Sequence, residues 1–141
     1  MKVKKILNYV KRIVNEYPKI NSIIDGLELS KENGINKDIN SFIKSKNKIN
    51  NTTELQALKN INIDKKIEEY NKWQNLIASE LENLKNSDIE IYKIVIFKFT
   101  GYSFEQIRDE LYLGERTVVN LYNDFIIELS LIAVKDGLII F

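Results

Sequence analysis

The sequence predicts an all-helical protein. Three observations point that way. Apolar residues recur at three- and four-residue steps over two long stretches. Only five Gly and one Pro interrupt the chain. Two helix-capping signatures follow each other closely in the C-terminal half. At 141 residues the prior is one domain, or a domain with a helical arm. With 44% hydrophobic and 29% charged residues the chain has the composition of a globular protein.

Residues 2–17 place Val3, Ile6, Leu7, Val10, Ile13, Val14 and Tyr17 on one apolar stripe, so they form a helix. Lys4 and Lys11, and Lys5 and Arg12, repeat at seven-residue spacing and give that helix a basic flank. Pro18 stops it, because proline lacks an N–H and disfavours the α region before it. Residues 21–59 are the least legible. Gly26 and Gly34 act as breakers, and Asn, Lys and Ser dominate from Lys31 to Thr53. The clusters Ile23, Ile24, Leu27, Leu29 and Ile39, Phe42, Ile43 fit one or two short helices as well as a mobile connector near 30–55.

Periodicity returns over 62–85, where Ile63, Ile67, Tyr70, Ile77, Leu81 and Leu84 share a face and Trp73 serves as a packing anchor beside it. Pairing this helix with the first, within one chain or between two, is the natural way to bury both stripes. Residues 1–86 are therefore read as a helical arm or hairpin that serves oligomerisation.

Ser87-Asp88-Ile89-Glu90 has the form of a capping box with Ser87 at the N-cap. It opens Ile89–Phe99, a run apolar enough for a buried strand, and the cap selects helix. Gly101 ends it, and Ser103-Phe104-Glu105-Gln106 is a second capping box. On the helix that follows, Phe104, Ile107 and Leu111 face inward. A turn at Tyr112-Leu113-Gly114 comes next, with Leu113 plugging the junction. The next helix starts at Glu115 and buries Val118, Leu121 and Phe125. Two short helices that share a core across a tight turn form a helix-turn-helix, placed in a domain over 87–141. The apolar tail Leu138–Phe141 is expected to be ordered, folded onto the helical arm or packed across a homodimer.

The chain has no Cys and no His, which removes the thiolate nucleophile, the commonest general base and the commonest metal ligand. No enzymatic activity, cofactor or metal is expected. No apolar run reaches the roughly 18 residues of a membrane span. Lys11, Arg12 and Glu16 interrupt the N-terminal stretch, so cytoplasmic residence without a membrane partner is the expectation. The net charge of +1 conceals an asymmetry. Residues 1–66 hold 14 Lys and Arg against 7 Asp and Glu, residues 67–100 hold 4 against 6, and residues 101–141 hold 3 against 7. Attraction to phosphate should come mainly from the N-terminal half.

The segment Gly101 to Leu129 resembles region 4 of bacterial sigma factors and the related output domains of response regulators. Gly101, Tyr102, Ser103, Ile107, Leu111, Leu113, Thr117 and Val118 fall on that pattern. Arg108, Tyr112 and Gly114 stand where it has Ala, Gly and Ser. The layout, a helical N-terminal half followed by a sigma-like unit, is similar to the ArpU and RinA families of phage late-gene transcription regulators. The resemblance implies a phage- or mobile-element-type regulator that binds promoter DNA, RNA polymerase, or both.

Its DNA-binding residues would be Ser103 and, at the N-terminal end of the recognition helix, Glu115, Arg116, Thr117, Val119, Asn120 and Asn123. Asn120 could read adenine, and Arg116 a phosphate or a guanine. Lys4, Lys5, Lys11 and Arg12 are candidate phosphate contacts. A homodimer would add a second half-site. Two other readings stand beside this one: a protein–protein adaptor that keeps the fold without binding DNA, and a phage DNA-packaging recognition subunit.

Overall fold

A computed structural model describes the backbone of residues 2–42 and 49–140 and the side chains of residues 2–31 and 53–140. Six α-helices make up the described chain: α1 (Lys2–Glu16), α2 (Ile20–Phe42), α3 (Ile49–Ser87), α4 (Ile89–Phe99), α5 (Phe104–Leu111) and α6 (Glu115–Lys135). No strand occurs among the described residues, and Ile89–Phe99 is helical as its cap predicts. At Pro18 the backbone tightens into a single 3-10 turn, Tyr17–Lys19, which separates α1 from α2.

Helix extends further than periodicity indicated. Both Gly26 and Gly34 lie inside α2, since each costs a helix only about 1 kcal/mol. Similarly, α3 begins at Ile49, well ahead of the stretch where its stripe becomes regular. Of the expected connector, residues 43–48, including Ile43, lie outside the described residues, as do the side chains of Ile39 and Phe42.

The chain divides into two compact units, residues 19–71 and residues 1–18 with 72–141. In the first of these, Lys31 Nζ on α2 reaches both carboxylate oxygens of Asp64 on α3, at 3.0 and 3.3 Å. Gln56 is buried there and donates to Asn60 Oδ1 at 3.1 Å, one turn along the same helix.

The second unit is built around α6, against which α1, α4 and α5 all pack. Val118, Tyr122, Phe125, Ile126, Leu129 and Ala133 give α6 a broad buried arc. Facing contributions come from Val10, Ile13 and Val14 of α1, Ile91, Ile94 and Val95 of α4, and Ile107 of α5. The end of α3 adds Trp73, Ile77, Leu81 and Leu84. Each large side chain so removed from water stabilises the unit by about 1.5–3 kcal/mol before entropy is counted.

The apolar stripe of α1 lies principally on α6, whereas the sequence pointed to the 62–85 helix as its partner. The width of the α6 arc explains the difference: α4 and α5 cover part of it, and α1 closes the rest. Toward α3, the Tyr9 ring meets Trp73 edge-on at 6.0 Å. By length and composition α6 could also cross a membrane; here its apolar arc forms the core of this unit.

Two helix ends show how the chain is punctuated. Between α3 and α4 the cap falls one residue later than the sequence pattern placed it. Asp88 is the N-cap and accepts from the Ile91 N–H at 3.3 Å, while Ser87 closes α3 by donating to the Asn83 carbonyl at 2.7 Å. At the other end Gly137, with φ +79°, terminates α6. The Leu138 N–H bonds the Ala133 carbonyl at 2.9 Å and the Gly137 N–H that of Val134 at 3.2 Å, a Schellman closure. Leu138 then borders a shallow cleft with Leu76 of α3, and Ile140 is 89% exposed. The tail therefore meets its own chain at Leu138, whereas Phe141 lies outside the described residues.

Candidate functional site

The candidate site is assembled by two successive chain reversals. The first ends α4. Gly101, with φ +91°, donates to the Lys98 carbonyl at 3.1 Å, and the Tyr102 N–H bonds the Phe97 carbonyl at 3.1 Å. The Phe97 and Tyr102 rings stack at 4.9 Å, the apolar contact that accompanies this kind of stop. A side chain at 101 would meet nothing within 4 Å, so backbone conformation alone asks for glycine.

Next, Ser103 caps α5. Its hydroxyl accepts from the Gln106 N–H at 3.2 Å while the Gln106 side chain accepts from the Ser103 N–H at 2.8 Å, the reciprocal box expected from the sequence. After two turns, Tyr112 ends α5 in the left-handed region (φ 55°, ψ 36°) with its side chain 92% exposed. A glycine would adopt that conformation without strain. Gly114 is the N-cap of α6 and offers no side-chain acceptor to the helix.

Ile107 and Val118 are fully buried between the two helices, and the Phe104 ring meets Tyr122 edge-on at 5.5 Å. Tyr122 is buried where the sequence pointed to Leu121, which is only half-buried. Burial pushes the Tyr122 phenol up to about 12. On the outer side, Arg108 Nε donates to Asp109 at 3.1 Å, and its Nη1 lies 3.6 Å from Glu115 at the start of α6. The bond to Asp109, with further help from Glu115, holds the guanidinium still more firmly in its charged form. Glu115 also suits the positive end of the α6 dipole.

Arg116, Thr117 and Asn120 are exposed, whereas Val119 and Asn123 are half-buried. Spacings of three, four and seven put Arg116, Val119, Asn120 and Asn123 on one face of α6. Val119 and Asn123 line a cleft of about 270 Å³ whose other walls are Lys11 and Asn15 of α1 and Lys98 of α4, with Phe104 and Tyr122 beneath. The Lys98 ammonium sits 4.4 Å from the Phe104 ring centroid.

Of the four basic candidates on α1, Lys11 is the one brought to this face of α6. Lys4 lies seven residues earlier on the same track of α1 and is exposed. Lys5 and Arg12 follow the neighbouring track, Arg12 with its guanidinium 5.1 Å from the Tyr9 ring centroid. Ser103 stands at the start of α5 with its hydroxyl engaged in the cap. Lys98 was not among the residues the sequence singled out. Nothing in the local pattern of α4 distinguishes it from Lys93; only the packing of α4 against α5 and α6 turns it into the cleft.

Among the described residues no group of three or more Asp or Glu side chains is placed to hold a metal. Three of the four exposed positions of α5, by contrast, are acidic, Glu105, Asp109 and Glu110; the fourth is Gln106. No protein family, curated protein or solved structure matches this chain.

Proposed function

We infer that the protein is a transcriptional regulator of the phage or mobile-element type, which binds promoter DNA as a homodimer through a sigma-like helix-turn-helix formed by α5 and α6. RNA polymerase is its second candidate partner. One observation carries this reading: α5, a three-residue turn and α6 share a core, and the N-terminal face of α6 bears exposed Arg116 and Asn120 and half-buried Asn123, with Lys11 and Lys98 at its edge. Duplex DNA is met by such a face, base edges by Arg and Asn and phosphates by the flanking lysines. In support of a dimer, Ile127 and Leu131 lie one turn apart on α6 and are both exposed.

Binding to random and promoter-derived duplexes across a salt series, with solution mass measured in parallel, tests the reading. Affinity should fall steeply with salt, and the Arg116→Ala/Asn120→Ala variant should lose discrimination while melting like the parent. The acidic exposed face of α5 favours one rival, an adaptor that docks on a basic protein surface. That rival predicts no DNA affinity at any salt concentration.

A further inference from the structure

The cleft between α1, α4 and α6 has the chemistry of an anion site. Two lysines reach it from different helices, Lys11 and Lys98, and two amides from Asn15 and Asn123. Among the described residues no carboxylate lines it. Among the described residues neither lysine is paired with an acidic side chain. Two like charges converging on one half-enclosed space repel each other unless an anion joins them. Lys98 is held in place against the Phe104 ring, so its charge is aimed before any ligand arrives. The buried Tyr122 phenol also lines the space and keeps its proton at neutral pH.

We propose that this cleft binds one phosphate group, which Lys11 and Lys98 neutralise and to which Asn15 and Asn123 donate hydrogen bonds. In the DNA complex the occupant is a backbone phosphodiester, a point that rests on the DNA-binding reading above; the site itself does not. Contacts to phosphate fix register without carrying sequence information. Because Val119 and Asn123 belong to the same face of α6 as Arg116 and Asn120, a phosphate seated here sets where that face lies along the groove.

The test uses the full chain labelled with nitrogen-15, titrated at constant ionic strength with inorganic phosphate, with chloride as the control, and separately with a duplex. Phosphate, but not chloride, should shift the side-chain amide signals of Asn15 and Asn123. Those shifts should disappear in Lys98→Gln while the rest of the spectrum stays that of the folded parent. With the duplex, the Lys11→Gln/Lys98→Gln variant should bind unrelated sequences more weakly by a common factor. Its salt slope should be lower by about one, so that the parent loses roughly fourfold more affinity than the variant between 50 and 200 mM salt.

Shifts with phosphate and none with the duplex would support the phosphate site and overturn the DNA reading. Duplex-induced changes at Arg116 and Asn120 with Asn15 and Asn123 silent would overturn the site and leave DNA binding intact. Silence of both amides in both titrations would overturn the site as well.

Discussion

Ser103 and Gln106 satisfy each other's backbone N–H groups at 3.2 and 2.8 Å, which closes the start of α5 with no help from another element. Removing the hydroxyl leaves one N–H of the first turn without its partner. Ser103→Ala should therefore lower stability by about 1 kcal/mol, and Ser103→Asp, which keeps a capping oxygen, should lower it less. Urea denaturation followed by far-UV circular dichroism measures both. A parent-like midpoint for Ser103→Ala would show that α5 is held by its packing on α6 alone.

The turn between α5 and α6 carries two residues that local preference would not choose. Tyr112 is left-handed and exposed, so Tyr112→Gly relieves strain without sacrificing buried surface and should stabilise by about 1 kcal/mol. At Gly114 an added Cβ would meet only Thr117 Oγ1, at 3.6 Å, an ordinary contact. Gly114→Ser should gain a few tenths of a kcal/mol by supplying the missing cap. Thermal melts that move down for either variant would contradict the turn geometry described here.

Trp73 is fully buried, and among the described residues its Nε1 has no hydrogen-bond partner. Trp73→Ala should cost about 3–5 kcal/mol. Trp73→Phe should cost clearly less, because it leaves a much smaller cavity; both variants also remove a buried unsatisfied donor, whose burial costs about 1–3 kcal/mol. Ile77→Asp, one turn further along α3, would place an unpaired charge in the same core and cost several kcal/mol. Equal losses for the Phe and Ala variants at 73, measured by chemical denaturation, would mean that a phenyl ring recovers none of the packing of the indole.

Alkaline pH should weaken the fold through Tyr122. Its phenol loses its proton near 10.0 in the unfolded chain and near about 12 in the fold. Between those values the folded state retains a proton that the unfolded state has released. The stability this group contributes is complete below about pH 10 and falls as the pH rises toward 12, by up to about 1.4 kcal/mol per unit. Subtracting the pH profile of Tyr122→Phe isolates the effect from other tyrosines and from lysines. Superimposable profiles would show that the Tyr122 hydroxyl reaches solvent.

Local signals proved legible wherever a short segment decides its own conformation. Ser103 and Gln106 form their box from four consecutive residues, and Gly101 takes the left-handed angle that its position after α4 demands. Neighbouring alternatives were harder to separate. Ser87 and Asp88 are both good N-caps, and the choice depended on α3 running one residue further, to where Ser87 bonds Asn83. The stripe on α1 announced that it would be covered but carried nothing about the partner, because Val10, Ile13 and Val14 fit any apolar surface of the right width. Along α6 Val118 and Phe125 are buried as expected, and Tyr122 takes the core position expected of Leu121. Leu121 and Tyr122 are both apolar enough for a core, and the contact with Phe104 selects Tyr122. Lys98 could not be found in this way, since its place in the cleft depends on three helices meeting.

Arg116, Asn120 and Asn123 lie on the opposite side of α6 from Val118, Tyr122 and Phe125. One rod about 30 Å long thus has an outer edge and an anchored edge on one backbone. Mutations at the exposed positions can accumulate without loosening the anchor, so the chemistry of the outer face is free to drift while the scaffold stays constant. A library randomised at 116, 120 and 123 should consist largely of folded members, whereas one randomised at 118, 122 and 125 should not.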